Sequence, residues 1–339
     1  MLNILVTGAA GLVGGEVCAQ LVAAGHRVTA LVHRNREVLA NNGAPVAVVE
    51  IVAGDVSQPR FGWDEERFSA IADTHDLLIH CAASVRFDLS DEDYAAVNVG
   101  GTANALSLAE AGGMAFLHVG TAYVCGTRNG PILETDPLPE SGFANGYEAS
   151  KAQAEKLVRA SGLRWAIARP SIVTGAYDDG EIRQFDTTYA VFKMIASGMV
   201  RHMPASADAT LDFVPIDHVA RGIAAIAAEM ESSAGRTFHL VSGAPLPVGD
   251  FADCIATYPQ FAAPELVPPE RFDPSELHAR ERRLYRRAAG LYASYFQRDP
   301  RFEDANLREL TGAPCPPTGK PYIHRLIDYC IREGFLPVA

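Results

Sequence analysis

The sequence has no run of about 18 or more apolar residues, so no segment reads as a membrane-spanning helix. Positive charge is scarce: 29 Lys and Arg stand against 41 Asp and Glu, a formal net charge of −12. An acidic surface repels a phosphate backbone instead of releasing its counterions, which excludes general nucleic-acid binding and leaves only local basic patches. Cysteine is sparse, and Cys18, Cys81, Cys125, Cys254, Cys315 and Cys330 form no CxxC and meet no histidine at metal-ligand spacing. That pattern reads as reduced, mostly buried thiols with no metal site. Met1 leads straight into an apolar strand without a signal-peptide pattern, so a soluble cytoplasmic protein is expected. Internal repeats and low-complexity tracts are missing as well.

What is present is apolar surface, 48% of 339 residues, enough for a nucleotide-binding domain and a smaller unit. Short β-branched runs at Leu2 to Val6, Arg27 to Val32, Val46 to Val52, Leu77 to His80, Phe116 to Val119 and Trp165 to Ala168 alternate with helical patterns. Near-continuous apolar strands separated by helices imply a parallel sheet covered on both faces, a doubly wound α/β fold. Past Pro170 the pattern loosens into a helical stretch near Phe185 to Ser197, a strand at Thr237 to Val241 and a proline-bearing segment from Pro259 to Pro274.

A further helix is predicted from Asp273, Pro274 and Glu276, which supply an N-cap, a first-turn proline and an acid at the third position. Leu277, Leu284, Ala288, Leu291 and Tyr295 repeat at helical spacing, while Arg280, Arg282, Arg283, Arg286 and Arg287 crowd the remaining surface. This basic helix on an acidic protein is either a solvated face paired with nearby carboxylates or a contact for an anionic partner.

The first strand runs into Thr7-Gly8-Ala9-Ala10-Gly11-Leu12-Val13-Gly14 and then an amphipathic helix. Glycines are needed there because backbone must approach a dinucleotide pyrophosphate closely and point N–H groups at it, so Thr7, Gly8, Gly11, Leu12, Val13 and Gly14 are candidate cofactor contacts. An NAD enzyme would place an acid at the end of the second strand, yet the chain reads Val32-His33-Arg34-Asn35-Arg36. Arg34, with His33 or Arg36, can receive a 2′-phosphate, which favours NADPH; the alternative is an exposed loop that leaves either cofactor open. Asp55 and Val56 follow the third strand where an adenine ring could be met, and Cys81, Ala82 and Ala83 end the fourth with small residues that let a ribose lie against the sheet. The predicted division is a Rossmann-type NADP-binding domain over 1–175, with a contribution from about 210–242, and a smaller, mostly helical substrate-binding and C-terminal region over 176–209 and 243–339.

Tyr147-Glu148-Ala149-Ser150-Lys151 opens a helical run, and a spacing of four puts phenol and ammonium on one face. A tyrosine with a pKa near ~10 is a poor acid at neutral pH. A positive charge at roughly 4 Å, in an effective dielectric of about 20, is worth on the order of 4 kcal/mol, so Lys151 is expected to acidify Tyr147 by close to three units. Thr121, just past the fifth strand, can hold the carbonyl oxygen that Tyr147 protonates. Asn98 falls within the helix after strand four, either as a core amide or as the group that orders an active-site water and Lys151.

In order along the chain, the glycine turn at Thr7 to Gly14, the Asn98 segment, Thr121 and the Tyr147/Lys151 pair resemble the extended short-chain dehydrogenase/reductase superfamily over roughly residues 1 to 240. The resemblance implies a catalytic set of Thr121, Tyr147 and Lys151, with Asn98 in support, and cofactor contacts that include Lys151, Pro170 and Ile172. Arg169 to Gly175 and Asp212 to Asp217 look like the branch of fatty acyl-CoA reductases and the thioester reductase domains of carboxylic acid reductases. Arg301 to Leu307 and Ile331 to Phe335 are similar to the end of the acyl-CoA reductases, whereas the acidic insertion after Gly175 departs from the branch. Sugar-nucleotide epimerases share the catalytic set, but Arg34 fits an NADPH-consuming reductase better.

The expected reaction is hydride transfer from NADPH to an acyl thioester carried by CoA or an acyl carrier protein, giving aldehyde and, after a second round, alcohol. The rivals are an NADPH-dependent ketone or aldehyde reductase and a non-catalytic NADP sensor. By analogy with the superfamily, a homodimer paired through the catalytic helix is a further expectation.

Overall fold

The computed structural model describes residues 1–338, leaving aside the side chains of 187, 188, 287 and 288. The elements that position the site are β1 (Asn3–Thr7), α1 (Leu12–Ala23), β2 (Arg27–Val32), β3 (Glu50–Ala53), α2 (Glu65–Ala72), β4 (Leu77–His80), α3 (Gly101–Gly112), β5 (Ala115–Val119), α4 (Gly146–Ala160), β6 (Trp165–Pro170), α5 (Thr187–Ala196), α6 (Ile216–Ala228), β7 (Thr237–Leu240), α7 (Val248–Ala256), α8 (Ala279–Leu284) and α9 (Lys320–Arg332). β1 to β7 form one seven-stranded sheet in the order β7-β6-β5-β4-β1-β2-β3, every pair parallel. The order reverses between β1 and β4, where an open α/β sheet leaves a crevice at its carboxyl edge. This is the doubly wound α/β fold that the alternating strands and helices announce.

Each sheet face is apolar because parallel strands are buried on both sides. Ile4 and Val6 of β1 pack with Val17 and Leu21 of α1 and with Val219 and Ile223 of α6 on one face. Leu5 of β1 packs with Phe116, Ile71 and Leu106 under α2 and α3 on the other. A third core, with Tyr189, Phe192, Phe251, Tyr322 and Leu326, joins α5, α7 and α9 beside the carboxyl edge. The chain after α8 also returns to the sheet side: Pro300–Phe302 runs parallel to Gly130–Ile132. All six cysteines are free thiols, five of them buried. No helix among the described residues is long and apolar enough to cross a membrane.

Two elements differ from the sequence reading. The third strand occupies Glu50–Ala53 and not Val46 to Val52, because Gly43, with φ +78°, and Pro45 turn the preceding chain back on itself and leave one bridge between Leu39 and Pro45. The basic helix begins at Ala279 and not at Asp273, whose carboxylate accepts the Ser275 N–H at 2.7 Å in a local turn that competes with capping. Beyond Leu284 the run tightens and loosens through a π-type turn at Tyr285–Ala289 and a 3₁₀ turn at Ala293–Phe296, so its apolar stripe is no single face. The side chains of Arg287 and Ala288, counted in that stripe and its basic flank, lie outside the described residues.

Candidate active site

A cavity of about 360 Å³ opens at the carboxyl edge of the sheet, where β1, β4, β5 and β6 end. Its floor is the turn after β1. Gly8 sits at φ +67°, and a Cβ there would fall 2.7 Å from Ala82 Cα. A Cβ on Gly14 would fall 2.3 Å from the Gly8 carbonyl oxygen, so side chains at either position would push the turn open. Helix α1 starts from Gly11 with no side-chain cap, and its first turn lacks an acid. The first amides of a helix have no intrahelical partners, so Leu12, Val13 and Gly14 bring polar backbone to the cavity wall. A bare helix N-terminus on a glycine cradle fits the pyrophosphate of a dinucleotide.

Gly8, Gly11, Leu12, Val13 and Gly14 thus border the cavity, together with Cys81, Ala83, Pro170 and Ile172. Thr7, read from sequence as a cofactor contact, does not. Its hydroxyl is buried in hydrogen bonds with His80 Nδ1 at 2.8 Å and the Ala82 N–H at 3.3 Å, so it fastens β1 to β4 beneath the turn. Ala82 likewise serves as the backbone against which Gly8 closes. His33, Arg34 and Arg36 stand exposed beyond the end of β2, away from the cavity wall, with His33 Nε2 3.6 Å from Asp55. Against the upward push of burial, Ser57's hydrogen bonds to the Asp55 carboxylate, helped by His33 and Arg34, hold its pKa below the ordinary value. Val56 packs under Gly101, and its carbonyl accepts Asn104 Nδ2 at 2.8 Å, so its contribution is to seat α3.

Opposite the glycine turn, Thr121, Tyr147 and Lys151 meet on the same cavity wall. Helix α4 is set by Asn145, whose side chain accepts the Glu148 N–H at 2.9 Å, placing Tyr147 in the first turn and Lys151 one turn on. Phe87 packs its ring 5.5 Å from that of Tyr147. The electrostatics correct the sequence reading. Lys151 Nζ donates to the Val119 carbonyl at 2.8 Å, at the end of β5. Burial, then Glu148, pushes the phenol's pKa up against the opposing hydrogen bond with Thr121, so Tyr147 is a firmly protonated acid. Burial also lowers the Lys151 ammonium to about 8, with Cys81 and Glu155 pulling the other way.

Asn98 lies in a π-type turn, Ala95–Gly100, just before α3. It makes no hydrogen bond with Lys151 among the described residues. Its Oδ1 accepts the Ser84 N–H at 2.8 Å and its Nδ2 donates to Ser150 Oγ at 2.9 Å, while Ser150 Oγ donates to the Tyr147 carbonyl at 2.8 Å. Asn98 therefore ties the loop after β4 to the helix that carries Tyr147.

Several residues here were not singled out from sequence. Arg298 Nη2 pairs with Glu148 Oε1 at 2.5 Å, both side chains nearly inaccessible, and its guanidinium lies 4.7 Å above Tyr123 and 4.6 Å above Tyr295. Arg183, from the acidic insertion, donates to the Gly11 carbonyl at 3.0 Å. Gln184 and Asp186 of the same insertion reach the cavity, whose far end is walled by Phe192, Phe213, Phe251 and Phe296. Arg169 and Asp212, from the two branch-like segments, are structural. Arg169 is forked onto Glu155 at 2.9 and 2.6 Å, and Asp212 accepts Ser171 Oγ at 2.5 Å.

Comparison with known proteins places the chain in a family. A family model described as Male sterility protein matches residues 6–223. A hybrid PKS-NRPS synthetase of Talaromyces variabilis is 30% identical over 243 residues, which is 69% of this chain and 6% of that protein. Fatty acyl-CoA reductase 1 of Mus musculus is 28% identical over 270 residues, 64% of this chain and 52% of that protein, so the chain spans about half of this relative and far less of the first. Among solved structures, the terminal R domain from the myxalamid PKS-NRPS biosynthetic pathway superposes with a TM-score of 0.84 at 26% identity, covering 99% of this chain and 92% of that one.

Proposed function

Because the chain belongs to the Male sterility protein family and is an oxidoreductase of the extended short-chain dehydrogenase/reductase type, we propose that it reduces the carbonyl carbon of an acyl thioester with NADPH. The observation that carries this reading is one cavity that joins the glycine turn, the Thr121/Tyr147/Lys151 wall and an aromatic far end. The glycine turn would hold the pyrophosphate and Lys151 the nicotinamide ribose, while the apolar end would take an acyl chain. Exposed Arg34 and Arg36, with no acid among residues 32–36, support a 2′-phosphate and hence NADPH. Likeness to fatty acyl-CoA reductase and to a terminal R domain supports a thioester on CoA or a carrier protein over a simple ketone.

A bound reduced nicotinamide would supply the two electrons and the hydrogen that reach the carbonyl carbon. Thr121 and Tyr147 hold the carbonyl oxygen where negative charge develops, and Tyr147 gives up its proton there. A phenol with a raised pKa remains protonated until the oxygen becomes strongly basic, which suits reduction. The tetrahedral hemithioacetal then breaks its C–S bond, releasing aldehyde and thiol. Lys151, anchored on the Val119 carbonyl, keeps a positive charge beneath the site. The test is NADPH oxidation with a long-chain acyl-CoA while free thiol is titrated: one thiol per NADPH, or per two if alcohol forms, is expected. NADPH consumption without thiol, or with a ketone instead, overturns the reading.

A further inference from the structure

Asp186 stands directly before α5, at the position where a carboxylate ordinarily accepts the N–H groups of the first helical turn. It caps nothing. Instead it lines the active-site cavity, whose lining also includes Val191, Phe192, Phe213 and Phe251. No other described side chain donates to its carboxylate: Lys151 is held on the Val119 carbonyl, Lys193 lies over the Phe335 ring, and Arg183 spends Nη2 on the Gly11 carbonyl while its buried Nε pairs with no described group. Burial raises its pKa to about 6, opposed only by its own backbone amide.

A carboxyl group lining a cavity rich in aromatic side chains is costly to ionise unless something pairs with it. No described side chain supplies a partner, and water reaches that wall only until a substrate fills the cavity. We infer that Asp186 is a specificity-determining residue and that the acyl group this cavity takes carries a protonated amine, which pairs with the Asp186 carboxylate once the chain is seated. This rests on the proposed thioester reduction and narrows its substrate class. A plain alkyl chain would desolvate the carboxylate and give nothing back, so it should be the poorer ligand.

Octanoyl-CoA and 8-aminooctanoyl-CoA serve as the matched pair of probes. Calorimetric binding to the protein with NADP⁺ present, and kcat/KM with NADPH, are compared for the wild type and Asp186→Asn. The wild type is expected to prefer the amino chain at least tenfold in both measurements. In Asp186→Asn the ratio between the two probes should fall at least fivefold at an unchanged melting temperature. Equal affinity for both probes in the wild type, a preference for the plain chain, or an unaltered ratio in Asp186→Asn overturns the inference. Binding preference is read whether or not turnover follows, so selective binding without thiol release would contradict the proposed reaction and leave the role of Asp186 standing.

Discussion

Replacing Arg298 by methionine strips the partner from Glu148, and the size of the loss follows from where the pair lies. Glu148 is fully buried and Arg298 nearly so, at 0% and 4% side-chain exposure. Breaking such a pair leaves one charge uncompensated in a low-dielectric site, a loss of about 3–5 kcal/mol. Methionine keeps much of the packing between Tyr123 and Tyr295 but removes the donors to Glu148 and to the Gly126 carbonyl. With an unfolding entropy of roughly 2 cal/mol/K per residue, a chain of this length converts that loss into a fall in Tm of about 4 to 7 °C. Thermal denaturation at pH 7 reads it directly. The double variant Glu148→Met/Arg298→Met removes both charges and should regain at least half of the loss, the coupling that a double-mutant cycle measures. A single variant that melts with the wild type, or a double variant whose loss is the sum of the two singles, refutes the reasoning.

Three further outcomes follow from the site. Arg34→Asp should raise KM for NADPH far more than KM for NADH, and equal effects on both in steady-state assays would contradict the 2′-phosphate assignment. Tyr147→Phe removes the proton donor and should lower kcat by about 10²–10⁴ with little change in NADPH affinity; single-turnover kinetics and fluorescence titration separate the two. Lys151 carries its charge below a pKa of about 8 and loses it above, so kcat/KM should decline as pH rises through that value. A profile that stays flat well beyond it would show that the ammonium is not required.

The sheet was legible because its signal is local: β-branched runs such as Leu77 to His80 and Trp165 to Ala168 carry their burial in their own composition, and the glycine turn carries its conformation. The candidate triad was legible for the same reason, since a spacing of four between Tyr147 and Lys151 fixes a shared helix face. What stayed hidden depends on long-range contact. Nothing near Arg298 in sequence announces Glu148, 150 positions earlier. Nothing in the acidic insertion shows that Asp186 turns to the cavity and not to solvent. The direction of the Tyr147 shift was misjudged because spacing shows that phenol and ammonium share a face, but not that the Val119 carbonyl takes the ammonium and burial dominates. The expected helix from Asp273 was displaced for a related reason: good capping chemistry at Asp273 is spent on Ser275.

The central claim, transfer from NADPH to the carbonyl carbon of a thioester, is tested most directly with NADPH deuterated at C4 and an acyl-CoA substrate. Mass spectrometry should find one deuterium on the former carbonyl carbon of the aldehyde, or two in the alcohol, with CoA thiol released in step. Product without deuterium at that carbon, or deuterium transfer with the thioester bond intact, would contradict the account.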